Sequence, residues 1–305
     1  MMWLSRGKGI MKKEGSFQIS FEFFPPKTEE SKNRLLLEVS HLVPMHPHFF
    51  SVTYGAGGST QEGTVKTIQA LQQHTAVAAA PHLSCIGLKR AQLIEILKTY
   101  QSLGVKRIVA LRGDRPSGMK QVGELHFAYE LVALIREVIG EDCHLSVAAY
   151  PEYHPEAKNV EEDILNLCRK VEAGANSAIT QYFYNSDAYA YFLDHCAKAG
   201  ISIPIIPGIM PITSFGKLAR FSTVCGAEIP KWLHKRLEHY QDDLESVQAF
   251  GMEVVVHLCE RLMSYGAPGF HFYTLNQAEP TCAIIKKLSL PSHFIVLEKQ
   301  ERKVV

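Results

Sequence analysis

Apolar residues recur along this chain in short runs, and each run carries a polar residue or a glycine at or near its end. The runs are Ile19-Ser20-Phe21-Glu22-Phe23-Phe24, Phe50-Ser51-Val52-Thr53-Tyr54, Ala79-Ala80-Pro81-His82 and Ile108-Val109-Ala110-Leu111-Arg112-Gly113-Asp114. They continue as Val147-Ala148-Ala149-Tyr150, Ala178-Ile179-Thr180-Gln181, Ile205-Ile206-Pro207-Gly208 and Phe270-His271-Phe272-Tyr273-Thr274. Runs of this length and composition predict buried strands. Between most of them, apolar positions return at helical spacing, over 28–42, 64–71, 91–103, 125–139, 160–171, 187–199 and 213–221. Gly104, Gly140, Gly174 and Gly200 each fall just after a helical run, where a left-handed C-terminal stop favours glycine. The stretch 229–264 breaks the rhythm with two helical patterns, and 276–288 reads as a final helix. The pattern predicts an α/β fold, a (β/α)8 TIM barrel with an extra helix before the last strand. One catalytic barrel is expected over 17–290, after a flexible N-terminal extension (1–16) and before a C-terminal tail (291–305). In such barrels the catalytic groups sit where strands end, so the polar strand ends should converge on one mouth.

Composition narrows the classes. The 305 residues are 46% hydrophobic and 21% charged, an ordinary globular profile. A net charge of +1 without a dense basic stripe gives no reason to expect nucleic acid or membrane as a partner. No apolar run approaches a membrane span, and the first residues lack the apolar stretch of a secretory signal. Met11 is an alternative start, because the ordered pattern begins near Phe17. The seven cysteines show no CxxC pair, and an odd number argues against a full disulfide framework. A reducing cytoplasm is the expected location.

Several strand ends carry candidate chemistry. Glu22 alternates with Phe21 and Phe23, so it faces the other side of its strand. Pointed into a mouth among apolar neighbours, it would have a raised pKa and suit general-acid work. The plainer reading is a solvated glutamate; the flanking aromatics and prolines favour burial. Arg112-Gly113-Asp114 combines a donor fork, a bare backbone and an anionic acceptor, although a turn with a surface ion pair would look the same. Gly55-Ala56-Gly57-Gly58-Ser59-Thr60 lacks both the dinucleotide and the P-loop spacing. Glu152, His154 and Glu156 are too isolated for a metal centre, and no metal site is expected; a proline-braced loop against a ligand fits better. Asp163, Asn166 and Lys170 share a helical ridge that by default faces solvent. His82 and Gln181 are ordinary residues made interesting by their shared rim position, and Cys85 has no partner that would activate a thiolate.

Segments 20–26, 51–56, 80–86, 109–114, 146–158, 173–181, 205–211 and 270–276 together closely resemble methylenetetrahydrofolate reductase of the bacterial type. The resemblance runs from Phe17 to about Leu288, in family order. It implies a (β/α)8 barrel that binds FAD tightly but non-covalently. NADH or NADPH serves as co-substrate, and 5,10-methylenetetrahydrofolate is reduced by a ping-pong mechanism to 5-methyltetrahydrofolate for methionine synthesis. Glu22 matches the family's general acid and Asp114 its carboxylate near the flavin and pterin. Cofactor positions match at Tyr54, Ala56, His82, Arg112, Gly113, Asp114, Ala128, Tyr150, His154, Ala157, Asp163, Asn166, Arg169 and Lys170. Substrate positions match at Thr53, Asp114, Gln181 and Phe221. Lys217 and Gln277 fall near the expected folate tail but depart from one bacterial pattern, which has glutamine and arginine there. The expected partners are the small-molecule substrates and further copies of the chain in a homo-oligomer; no regulatory domain of the eukaryotic kind is expected. A folate-dependent methyltransferase barrel would need a corrinoid partner or metal-activated thiol. An amino-acid-oxidising flavin barrel leaves Glu22 unexplained, and a non-catalytic pterin binder needs no acid.

Overall fold

A computed structural model describes residues 17–54, 61–114, 123–240 and 243–290. The strands are β1 (Gln18–Phe23), β2 (Phe49–Val52), β3 (Ala78–Ser84), β4 (Arg107–Leu111), β5 (His144–Ala149), β6 (Ser177–Thr180), β7 (Ile205–Ile206), β8 (Gly208–Ile209) and β9 (Gly269–Tyr273). The helices are α1 (Glu29–Leu42), α2 (Gln61–His74), α3 (Arg90–Ser102), α4 (Ala128–Ile139), α5 (Val160–Glu172), α6 (Ser186–Lys198), α7 (Phe215–Cys225), α8 (Lys231–Tyr240), α9 (Leu244–Ser264) and α10 (Glu279–Lys287). All pairings are parallel, in the order β7-β6-β5-β4-β3-β2-β1-β9-β8. The two ends of that order are halves of one strand, so the sheet closes into an eight-membered barrel wrapped in helices.

Proline explains the division. Pro207 has no N–H to give a ladder, but its carbonyl accepts from His271 N at 2.9 Å. The next amide, Gly208 N, donates to the Thr180 side-chain oxygen at 2.9 Å instead of to backbone. The strand therefore runs past Gly208 to Ile209, one residue beyond its expected end. Gly208 itself leaves no room for a side chain: a Cβ would lie 2.1 Å from Thr180 O and 2.6 Å from the Tyr273 ring.

Strand alternation sorts the core into two parts. Ile19, Phe21 and Phe23 are fully buried in the large cluster shared with helix residues such as Leu35, Val39 and Leu42. A separate small cluster of Phe49, Ala80, Val109 and Ile179 fills the barrel interior. The polar residues Ser20, Ser51, Ser146 and His271 are buried on the interior parity as well. Burying hydroxyls in a barrel demands partners, and Ser146 Oγ finds Ser177 Oγ at 3.0 Å.

The helical spacings hold with shifted ends. Helix α4 begins at Ala128 because the Glu130 carboxylate accepts from Phe127 N at 2.9 Å, so residues before it form the turn and not the first helical turn. The α5 start is set by Asn159, whose side chain accepts from Glu162 N at 2.8 Å. Gly104, Gly140, Gly174 and Gly200 all take positive φ after their helices. Between β8 and β9 lie α7, α8 and α9, which contain the expected extra helix.

Candidate active site

Register brings the acid and its neighbours together. Ser20 of β1 pairs with His271 of β9, and Glu22 pairs with Ser51 of β2 and Tyr273 of β9. All sit on interior parity near the C-terminal ends of the strands. The fully buried His271 ring stacks on Phe49, with centroids 5.7 Å apart. Its Nδ1 is 2.7 Å from Ser20 Oγ, and its Nε2 lies 3.3 Å from Ser51 Oγ and 3.4 Å from Glu22 Oε2. One tautomer satisfies all three: the Ser20 hydroxyl donates to Nδ1, and Nε2–H points between Ser51 and the carboxylate. From the other side, His82 Nε2 stands 3.3 Å from Glu22 Oε2, within ion-pair distance but without an aligned hydrogen bond. Burial lowers the His82 pKa; the Glu22 carboxylate raises it less. The ring therefore favours its neutral form.

Glu22 is 13% exposed. Its surroundings differ from the expected apolar pocket. The flanking phenylalanines pack on the opposite face of β1, and the carboxylate faces two imidazoles and a serine hydroxyl. The backbone around it is clamped. Thr274 Oγ1 donates to Glu22 O at 2.6 Å, and the Asn276 side chain accepts from Phe24 N at 2.8 Å and donates to Phe24 O at 3.0 Å. Asn276 adopts φ +59° to make this reach, a conformation asparagine tolerates better than most residues. Beside the acid, Thr53 is buried and its hydroxyl has no partner.

A second group gathers on the β4–β5 side. At the end of β4, Gly113 has φ +89°, and a Cβ there would lie 2.0 Å from Ser84 Oγ. Arg112 Nη1 pairs with Glu156 Oε2 at 2.6 Å. The Tyr150 and His154 rings meet edge to face at 4.6 Å. Burial raises the Tyr150 pKa, and the carboxylates of Asp114 and Asp163 push it further. Helix α5 buries Asp163 and Lys170 rather than turning its polar ridge to solvent. Asp163 accepts from His154 N at 3.1 Å, and Lys170 Nζ donates to Ala148 O at 2.6 Å. Burial lowers the Lys170 pKa to about 8 and raises that of Asp163, each against the pull of the other's charge.

The remaining expected residues are placed more loosely. Gln181 follows β6 and folds its amide oxygen back onto Tyr182 N at 3.0 Å. Tyr54 follows β2 and is partly buried. Ala128 opens α4, and Ala157 N donates to His154 O at 2.8 Å. Asn166 accepts from Arg169 at 3.1 Å, and that guanidinium lies over the Tyr129 ring. Lys217 and Gln277 are exposed, Phe221 is partly buried on α7, and Asp114 is exposed. No described contact joins Lys217 or Gln277 to Glu22. Ala56 lies outside the described residues. Burial pushes the Cys85 thiol up to about 11, away from the thiolate form.

His271 is the residue that sequence reasoning passed over. Its signal is the one used for Glu22: a polar residue between two phenylalanines, on interior parity.

The frame is that of a (β/α)8 barrel enzyme with an acid at the C-terminal mouth. Solved structures of the same fold include a protein from Clostridium thermocellum described as binding two copies of 5-methyl-5,6,7,8-tetrahydrofolic acid. It has a TM-score of 0.62 at 18% identity, covering 88% of this chain and 93% of that one. A dihydropteroate synthase from Xanthomonas albilineans reaches 0.51 at 12% identity, covering 89% and 91%. At those identities the likeness is one of fold. Sequence goes further. The family model of methylenetetrahydrofolate reductase matches residues 8–289. The 5,10-methylenetetrahydrofolate reductase of Escherichia coli K12 is 42% identical over 277 residues, 91% of this chain and 92% of the relative. Methylenetetrahydrofolate reductase (NADH) 1 of Arabidopsis thaliana is 34% identical over 91% of this chain but only 49% of its own length. The chain belongs to the methylenetetrahydrofolate reductase family.

Proposed function

We propose that this chain is an FAD-dependent oxidoreductase that reduces 5,10-methylenetetrahydrofolate to 5-methyltetrahydrofolate with NADH or NADPH. It would work in the cytoplasm and supply methyl groups for methionine synthesis. The observation that carries the reading is Glu22 at the mouth, between His82 and His271 at 3.3 and 3.4 Å, in a chain of this family.

The residues present fit a polar, anionic cofactor. The Lys170 ammonium is buried against the Ala148 carbonyl, and its charge and that of Arg112 both act on His154, so two cations serve one side of the mouth. Arg112, Gly113, Tyr150, His154, Asp163 and Lys170 would hold it, with Tyr54, His82, Ala128, Ala157, Asn166 and Arg169 around them. Bound FAD would supply the hydride chemistry between nicotinamide and folate in a ping-pong reaction.

The chain's own residues supply positioning and a proton. Glu22 gives a proton to N10 of the substrate, which opens the five-membered ring to a 5-iminium cation. Partly exposed at the mouth, Glu22 takes its next proton from solvent, while His271 and the Ser20 hydroxyl behind it hold the carboxylate in place. Asp114 places negative charge near the developing cation. Gln181 and Thr53 contact the alternating substrates, and Lys217, Phe221 and Gln277 lie on the folate side.

An anaerobic absorption spectrum tests the proposal. The purified protein should show bound, extractable FAD that bleaches with NADH or NADPH and recovers its colour with methylenetetrahydrofolate. A protein that takes up no FAD on reconstitution, or whose bleached flavin ignores the folate, would overturn it.

A further inference from the structure

The loop after β5 does more than border the second group of site residues. Glu152 Oε2 accepts a hydrogen bond from Glu228 N at 2.8 Å, across to the link between α7 and α8. Three residues on, Pro155 packs against Gly226, so closely that a Cβ on Gly226 would sit 2.2 Å from the proline Cγ. Gly226 also holds φ +72°, which suits glycine. A third tie comes from the neighbouring loop, where Tyr182 OH meets Ser222 Oγ at 3.0 Å. The C-terminal half of α7 is thus bound to the loops after β5 and β6. The other oxygen of Glu152 is buried with no partner, and the space around it is lined by Tyr150, Gln181, Tyr182 and Cys225.

We infer that Glu152 is a positioning residue: its carboxyl group straps α7, which carries Lys217 and Phe221, to the β5 loop, which carries Tyr150 and His154, so that both walls of the mouth are held in one arrangement. The role rests on the proposed reductase function, because that reading puts folate beside α7.

The strap is sensitive to protons. Burial raises the Glu152 pKa to about 7, with the Glu228 charge adding to the rise and the bond from Glu228 N opposing it. Released into water, the group would titrate as an ordinary glutamate. The strapped state therefore binds more protons, so strapping is favoured at low pH, weakens as pH rises to about 7, and then levels off. The other titratable groups facing Glu152 are Glu228, Tyr150, Tyr153, Tyr182 and Cys225. Burial pushes the Tyr150 and Tyr182 phenols upward and the Cys225 thiol up to about 11, out of this window.

Hydrogen exchange on the purified flavin-loaded protein decides the matter, read as protection factors for the amides of 215–228 at pH 5.5 to 8.5. In the wild type, protection should fall roughly tenfold between pH 5.5 and 7.5 and then flatten. Glu152→Gln keeps an acceptor without the charge, so it should stay protected throughout; Glu152→Ala should be poorly protected at every pH. The KM for methylenetetrahydrofolate should rise with pH over the same window in the wild type and stay level in Glu152→Gln. Protection that is the same in all three proteins overturns the strap. An exchange response with no matching change in folate KM overturns the positioning role. Wild-type protein without reductase activity would sink the reading of function, while the exchange data still decide the strap.

Discussion

Glu22 owes its setting to parity and register. Alternation turns it away from Phe21 and Phe23, and the β1–β9 register sets Ser20 opposite His271, one interior step below the acid. In the proposed reaction this carboxyl group, set between a fully buried His271 and a His82 made harder to protonate, gives its proton to substrate at the mouth, where solvent restores it. Glu22→Gln should therefore leave flavin reduction by the nicotinamide nearly intact. The folate half-reaction should slow by about 10²–10⁴-fold, the usual contribution of a positioned acid. Stopped-flow measurement of the two half-reactions separates these outcomes; equal loss in both would make Glu22 structural. His271→Ala strips partners from the Ser20 and Ser51 hydroxyls in a closed interior. Its expected cost is about 1–3 kcal/mol in urea unfolding, and a neutral result would mean that water replaces the ring.

The strands and helices were legible because their signals are local: apolar runs, helical spacing, and glycines just past helix ends. The division of one strand at Pro207 was not. It depends on what the neighbours offer, namely an amide from His271 on one side and the Thr180 hydroxyl on the other. The same limit applied to the site. The polar ridge of α5 looks solvent-facing by composition, and only the packing against β5 buries Asp163 and Lys170. The Asn276 clamp likewise joins residues 252 positions apart. Gly208 is where element packing is tightest. Gly208→Ala should lower stability by about 1–3 kcal/mol through the clash with Thr180 O and the Tyr273 ring, seen as a fall in Tm. An unchanged Tm would mean that the closing strand yields freely.

At the scale of the whole molecule, a charge buried away from water weighs on stability. Lys170 has a folded pKa of about 8, below the ordinary lysine value of 10.5, so below pH 8 the native state carries a poorly solvated ammonium. Between pH 8 and 10.5 the unfolded chain binds the extra proton, so this group adds stability as pH rises. Buried cysteines and tyrosines pull the other way in that range, so the difference between wild type and Lys170→Met isolates the lysine. Flavin-free Lys170→Met should melt higher than wild type at pH 7, lose that advantage by pH 10.5, and bind FAD more weakly. A lower Tm at pH 7 would show that the ammonium is well satisfied. Closure of the barrel has a consequence in time. Strand β1 pairs on one side with β2 and on the other with β9, and its Ser20 meets a partner 251 residues later. At a ribosomal pace of about 5–20 residues per second, one edge of β1 waits roughly tens of seconds for that partner. During that interval an aromatic strand stands open, with a single inward carboxylate to discourage another chain from joining it. The carboxylate that faces the finished mouth thus also sits where it would hinder another copy of the chain from pairing with the newborn strand.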